Sequence, residues 1–155
     1  MAFSKSTKKT GLIGTYFKVT FFLEKVLGPL LFFIIRIWMA KVFWYSGLSK
    51  IQSWSTTILL YKDEYKVPYI SPELAAQLSV GVELSCPIFL ILGLASRLAT
   101  IPMLVMTAII EMTYLHSHEH YYWAFLLGLI LCYGPEQISL DYFIRKWLSP
   151  KTKGR

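Results

Sequence analysis

The sequence predicts an all-α membrane protein, built as an antiparallel bundle of four transmembrane helices. Hydrophobic residues make up 55% of the 155 positions and the mean hydropathy is +0.48, which is too apolar for a water-soluble domain of this size. Four segments approach the roughly 20 apolar residues that a spanning helix needs. The second and third connections between them are short, so the helices they join must be antiparallel neighbours.

The first predicted element is an N-terminal region, residues 1–25, interpreted as a cytoplasmic tail with an interfacial lead-in. It opens like a secretory signal, but Lys18, Glu24 and Lys25 interrupt its apolar part and no small-residue cleavage site follows. The bundle then occupies residues 26–134, and the last of its spans is the shortest. The predicted spans are residues 26–47, 74–94, 98–116 and 121–134.

The first connection is the only long one, and it carries two predicted features. Residues 53–61 mix apolar and polar side chains, which predicts a short helix lying on the outer face. Ser71 and Pro72 then have the residue types of an N-cap and a first helical position, so they predict the start of the second span. At the other end of the chain, residues 135–155 predict an amphipathic interfacial helix followed by a basic tail that contacts anionic lipid.

The net charge of +7 is distributed as in a membrane protein and does not indicate nucleic-acid binding. Eleven cations lie in the two termini and the second connection, against three in the first connection and none in the third. This positive-inside pattern predicts cytoplasmic N- and C-termini. Cys86 and Cys132 lie in different predicted spans, so no Cys-x-x-Cys redox motif is present.

Four charged residues fall inside the predicted spans, where each costs roughly 2.5 to 3.5 kcal/mol on insertion scales. They are Arg36, Lys41, Glu83 and Glu111. Two of each sign suggest mutual pairing, because partnering makes buried charge tolerable. Counted from the predicted span ends, Arg36 and Glu83 both fall near the midplane, so we expect them to pair. Lys41 points nearly opposite to Arg36 and is expected to extend outward.

Helical periodicity predicts a polar face on each of the first three spans, and hence an interior lined with hydrogen-bonding groups. We expect the mouth of this interior to be external. The faces comprise Arg36, Phe43, Gly47 and Lys50 on the first span, Ala76, Ser79, Glu83 and Pro87 on the second, and Thr100, Thr107, Glu111, Tyr114 and His118 on the third.

Two interpretations of these polar residues stay open. In the structural one, Arg36 and Glu83 are a buried clamp that fixes helix register. In the functional one they form a site for a quinone or similar small molecule. The candidate catalytic residues are then Arg36, Glu83, Glu111 and His116. The candidate ligand-binding residues are Arg36, Phe43, Trp44, Lys50, Glu83 and Tyr114.

The third connection is rich in histidine, which allows a metal site as a weaker hypothesis. In an extended hairpin His116, His118 and His120 could bind zinc or iron together with Glu111. The alternatives are an interfacial hairpin before an aromatic belt, or one histidine that exchanges protons at the cavity mouth.

Several short pieces of this chain form a recognisable series. They are Arg36 followed by "SGLSK", "VPYISPELAAQLSVGVEL" leading to Glu83, "LGLASRLAT" with Gly93 and Arg97, His116, and "GPEQISLD" at residues 134–141. In their order and spacing these pieces resemble the DoxX family of small four-span bacterial membrane proteins, and the resemblance covers roughly residues 30–145.

This resemblance implies a compact protein of the bacterial inner membrane that is associated with redox chemistry. Relatives have been described as the membrane part of quinone-linked sulfur oxidoreductases or as members of membrane oxidoreductase complexes, and many have no assigned activity. One departure concerns the last span, where family members often carry an acid near its start. This chain has "HYYWAF" there, so His120 or Tyr122 would have to substitute.

Three functions therefore remain open from the sequence. The first is a membrane component of a quinone-linked oxidoreductase system, in which Arg36 polarises a carbonyl, Glu83 holds Arg36 or carries a proton, and Phe43 and Trp44 pack the ring. The expected partners are the lipid bilayer, other oxidoreductase subunits and further copies of the chain. The second is a non-enzymatic scaffold or assembly factor. The third is a small-solute transporter, which would need an oligomer to build an alternating-access path.

Overall fold

The computed structural model describes residues 11–113 and 117–149, apart from the side chain of Leu12. Every regular element in these two ranges is helical, and neither range contains a strand. In chain order they are α1 (Leu12–Phe22), a first π-helical turn (Leu23–Leu27), α2 (Gly28–Gln52), α3 (Trp54–Leu60), a second π-helical turn (Tyr61–Tyr65), α4 (Pro72–Leu92), α5 (Ser96–Thr113), α6 (His118–Tyr133) and α7 (Leu140–Leu148).

Within the described residues, three helices are long and apolar enough to cross a membrane: Ile13–Gln52, Pro72–Leu92 and Ser96–Thr113. The chain is therefore an all-α, multi-pass membrane protein whose helices contact lipid. Many large apolar side chains remain exposed around them, which suits a lipid environment. The fourth predicted span corresponds to α6, which has 16 residues and is about 24 Å long.

The first helix is longer than the sequence predicts. Ile13–Gln52 is a continuous helical stretch of 40 residues, whereas the predicted first span covers residues 26–47. Neither the charges before residue 26 nor Pro29 ends it, and the first π-helical turn lies directly before Gly28 and Pro29. The extension at the other end has the larger consequence, because it carries Lys50 inside the helix.

Local sequence explains where the helices begin and end. Ser71 accepts a hydrogen bond from the Leu74 amide at 3.2 Å, which confirms the predicted N-cap of α4. That helix ends at Gly93, whose left-handed conformation (φ 66°) favours glycine. Ser139 caps α7 by accepting from the Tyr142 amide at 3.1 Å. The short helix predicted over residues 53–61 is confirmed as α3.

The bundle is antiparallel and has two distinct ends. α2 packs along α4, α4 along α5, and α5 along α6. Lys50 of α2 meets Glu83 of α4 at one end, called here the Lys50 end, and Arg36 meets Gly93 near the α4–α5 turn at the other, called the Arg97 end. Buried apolar residues fill the space between the ends: Met39, Ala40, Phe43, Cys86, Leu90, Ala99, Met103, Leu127 and Ile130.

Candidate functional site

The Lys50 end holds a buried cluster of three polar side chains. The Lys50 ammonium forms an ion pair with Oε1 of Glu83 and donates to the Ser46 hydroxyl at 3.1 Å. Ser46 in turn donates to the same carboxylate oxygen at 3.0 Å. The side chains of Lys50 and Glu83 are only 10% and 1% exposed. Because the pair is shielded from water, both charges need further hydrogen bonds, and Ser46 provides one to each.

A glycine brings the two helices close enough for this pair. A Cβ atom at Gly47 would lie 3.0 Å from Cβ of Glu83 and 2.9 Å from Cδ2 of Leu84. The missing side chain therefore lets α2 approach α4 one turn before Lys50. On the other side, the Lys50 carbonyl accepts from the Thr57 hydroxyl at 3.0 Å, which ties α3 to the end of α2.

The predicted pair of Arg36 with Glu83 is wrong, because the carboxylate binds Lys50. Arg36 and Lys50 do share one face of α2, as predicted, and both are buried. They are 14 residues apart, however, which is about 21 Å along a helix. The Arg36 guanidinium instead donates through Nη2 to the Ile138 carbonyl, in the segment between α6 and α7.

Arg36 is fully buried, and it is only partly satisfied by that bond. Its Nε and Nη1 have no hydrogen-bond partner within the described residues, and its Cζ lies 5.5 Å from the Phe33 ring centre. Gly93 leaves room for the guanidinium, because a Cβ there would collide with Nη1 and lie 2.5 Å from Cβ of Ser139. The sequence motif around Gly93 thus has a steric explanation.

The segment before α7 is fixed to the α4–α5 turn by two further bonds. The Asp141 amide donates to the Gly93 carbonyl at 3.0 Å. The Asp141 carboxylate accepts from the Ala95 amide at 2.9 Å. Together with the bond from Arg36, these contacts hold the beginning of α7 against the Arg97 end.

The remaining candidates of α2, Phe43, Trp44 and Lys41, lie on different faces of that helix. Phe43 is buried in the core, with its ring centre 6.3 Å from that of Trp123. Trp44 is 37% exposed on the neighbouring face, because successive helical residues diverge by about 100°. The structure therefore does not bring Phe43, Trp44 and Glu83 around one cavity. Lys41 is exposed and extends over the Tyr45 ring at 5.9 Å, as expected for a cation that reaches outward.

The histidine-rich connection contributes one buried contact. Nδ1 of His120 lies 2.8 Å from Oε2 of Glu111, and the Ser117 amide donates to that oxygen at 3.1 Å. His120 is buried beside the Trp123 ring, whereas His118 is exposed. No group of three or more potential metal ligands occurs within residues 11–113 and 117–149. The candidates Tyr114 and His116 lie outside the described residues.

A small pocket opens at the beginning of α4, and neither Lys50 nor Glu83 lines it. It has a volume of about 220 Å³, and Tyr61, Lys62, Lys66 and Pro72 are among its walls. Burial raises the pKa of Tyr61, a hydrogen bond with Ser79 opposes this shift, and the charge of Glu83 adds to it.

Sequence reasoning missed three contributors to these sites. Ser46 had a usable signal, since it lies four residues before Lys50 and shares its helical face. Tyr61 was predicted only as the end of a short helix. The Ile138 carbonyl is a backbone group, so no residue type could indicate it.

Comparison with known families decides the classification. The DoxX family model matches residues 31–118, which is more than half of the chain. The chain belongs to the DoxX family. DoxX proteins are membrane proteins often associated with oxidoreductase systems. The match includes Arg36, Lys50, Glu83 and Glu111, while the segment that receives Arg36 lies beyond it. No curated protein and no solved structure matches the chain.

Proposed function

We propose that this DoxX protein is the membrane component of an oxidoreductase system and binds the head group of a quinone-like molecule at the Lys50 end. One observation carries the proposal. Oε2 of Glu83 is buried and has no hydrogen-bond partner among the described residues. An unsatisfied buried acceptor costs about 1–3 kcal/mol, and more when it is charged, so a ligand hydroxyl that donated to it would recover this free energy.

The surrounding groups suit a ring with polar substituents. The Lys50 ammonium can polarise a carbonyl oxygen, and the neighbouring carboxylate can accept a hydroxyl proton. Tyr61 and Tyr65 lie at one side of the site with ring centres 4.6 Å apart. A pocket of about 220 Å³ opens at the beginning of α4, with Tyr61 in its wall, and would lead the head group towards Glu83. It is smaller than the 300–1,000 Å³ typical of drug-sized ligands, so the tail would remain in lipid.

A quinol titration tests this function. We expect the purified protein to bind a short-chain quinol, whose hydroxyl can donate to Glu83 Oε2, and quenching of tryptophan fluorescence measures the binding. The double variant Lys50→Met/Glu83→Gln removes both charges together, so the fold should persist while affinity falls roughly tenfold or more. Glu73→Gln, an exposed change on the same helix, is the control. Equal binding by all three proteins, or no binding by the wild type, contradicts the proposal.

A scaffold function is the second candidate, and a specific observation favours it. Each buried cation of α2 joins that helix to a separate segment: Lys50 to α4 and Arg36 to the residues before α7. Two such links would fix the arrangement of the helices, and this role requires no catalysed reaction. A Lys50→Met/Glu83→Gln variant that stays folded and complements a deletion strain as well as the wild type would favour the scaffold over quinone binding.

We also propose a four-span topology with both termini in the cytoplasm of the bacterial cell. The charge asymmetry supports this orientation, and α6 packs along α2 at both of its ends, through Trp123 on Phe43 and Tyr133 on Phe32. Single cysteines at Lys62 and Lys146, in a background without native cysteines, test it. We expect an impermeant thiol reagent to label them from opposite sides of the membrane, and labelling from one side contradicts the topology.

A further inference from the structure

The Arg97 end of the bundle carries a cavity of about 500 Å³ that the proposed quinone site does not use. It lies between the beginning of α5, the end of α6 and α7. Two arginines from different helices, Arg97 of α5 and Arg145 of α7, line it. The cavity is therefore a place where separate elements bring positive charge together.

The position of Arg97 depends on a glycine. Gly134 ends α6 with φ 83°, a left-handed conformation that favours glycine. A Cβ atom there would lie 2.9 Å from Nε and 3.2 Å from Nη2 of Arg97. The guanidinium thus lies directly against the backbone of the α6–α7 connection, on the wall of the cavity.

The same lining contains two acids, Glu136 and Asp141, but within the described residues neither forms an ion pair with Arg97 or Arg145. Asp141 instead accepts from the Ala95 amide at 2.9 Å. Both guanidinium groups therefore keep hydrogen-bond donors for a ligand in the cavity.

Apart from Gln137, the remaining walls are apolar or aromatic and continue into the outer surface of the bundle. Leu98, Tyr133 and Tyr142 line the cavity, and Leu98 and Tyr133 are more than 60% exposed. On α7, Phe143 and Trp147 are also exposed, beside Arg145. An occupant of this cavity would meet cations at one end and lipid-facing side chains at the other.

We propose that this cavity binds the phosphodiester of a membrane phospholipid, with Arg97 and Arg145 donating to the phosphate oxygens. Guanidinium groups match phosphate oxygens geometrically, and basic pockets at the ends of membrane helices are suited to lipid head groups. The apolar walls would contact the beginning of the acyl chains. A free phosphate would use the arginines but would gain nothing from the apolar surface of Leu98.

Native mass spectrometry of the full chain in detergent tests the site. We expect the wild type to retain one phosphatidylglycerol per chain, and Arg97→Gln/Arg145→Gln to bind it roughly tenfold or more weakly, because charge-assisted hydrogen bonds are lost. Lys146→Gln removes the same charge from a neighbouring residue outside the cavity lining and should bind like the wild type. Circular dichroism establishes that each variant is folded.

Two further arms decide the outcome. Gly134→Ala keeps both arginines but displaces Arg97, so it should also weaken lipid binding; it provides a second reading if the double variant fails to fold. Inorganic phosphate should bind far more weakly than the lipid. Equal lipid retention by the folded double variant and Lys146→Gln overturns the proposal, and so does inorganic phosphate that competes at equal concentration with the lipid.

Discussion

Lys50 and Glu83 form an ion pair inside the bundle, one turn beyond the point where Gly47 brings α2 against α4. This ion pair fixes the position of α2 along the axis of α4. Once Lys50 meets Glu83, the antiparallel packing places Arg36 beside Gly93 and the start of α7. The two buried cations of α2 therefore bind different partners, and they lie about 21 Å apart along the helix.

We predict that Gly93→Ala destabilises the protein by at least about 2 kcal/mol. A left-handed backbone costs a non-glycine residue about 1–2 kcal/mol, and the added methyl would lie 2.8 Å from the Ser139 Cα and collide with Arg36. Gly128→Ala is the control, because nothing lies within 4 Å of a Cβ there. The thermal midpoint of each variant in detergent measures the effect. Equal midpoints would show that the close approach of Arg36 and Ser139 to Gly93 does not matter.

We predict that Arg36→Met loosens the segment before α7 while the helices remain intact. The change removes the hydrogen bond from the Arg36 guanidinium to the Ile138 carbonyl, and a hydrogen bond to a charged group contributes about 1.5–3 kcal/mol. Hydrogen exchange of residues 134–149 should become faster, and exchange in α4 should change little. Lys41→Met, on the exposed face of the same helix, should leave both rates unchanged. Unchanged exchange at residues 134–149 in Arg36→Met would show that the hydrogen bond from Arg36 to Ile138 does not hold this segment in place.

We predict that His120→Ala lowers stability by about 1–3 kcal/mol, because Glu111 loses a buried hydrogen-bond partner. His118→Ala removes a histidine two residues away that is exposed, so it should have little effect. Denaturant-induced unfolding in detergent compares the two variants. A larger loss of stability for His118→Ala than for His120→Ala would contradict the structural role of the contact between His120 and Glu111.

Much of the architecture could be predicted because it follows from periodicity and residue type. Apolar length predicts the three long helices, and the helical repeat correctly puts Arg36, Phe43, Gly47 and Lys50 on one buried face. The N-cap at Ser71 follows from the hydrogen-bonding capacity of its side chain.

The charge partners could not be predicted because they depend on helix ends, which sequence defines poorly. Because the predicted first span ends at residue 47, Lys50 counts with the first connection and not with the charges inside the membrane, which leaves Arg36 as the apparent partner of Glu83. The helix in fact continues to Gln52, so Lys50 reaches the carboxylate inside the bundle. The acceptor for Arg36 is a backbone carbonyl of Ile138, far along the chain, and carries no signal in the sequence.

A double-mutant cycle between Lys50→Met and Glu83→Gln tests the central claim, the pairing of charges across α2 and α4, most directly. Each single change should cost about 3–5 kcal/mol, because it leaves one buried charge uncompensated, and the double variant should recover most of that loss. The matched cycle between Arg36→Met and Glu83→Gln should be additive within about 0.5 kcal/mol. Additive effects for Lys50 with Glu83, or strong coupling of Glu83 to Arg36 instead, would contradict the account.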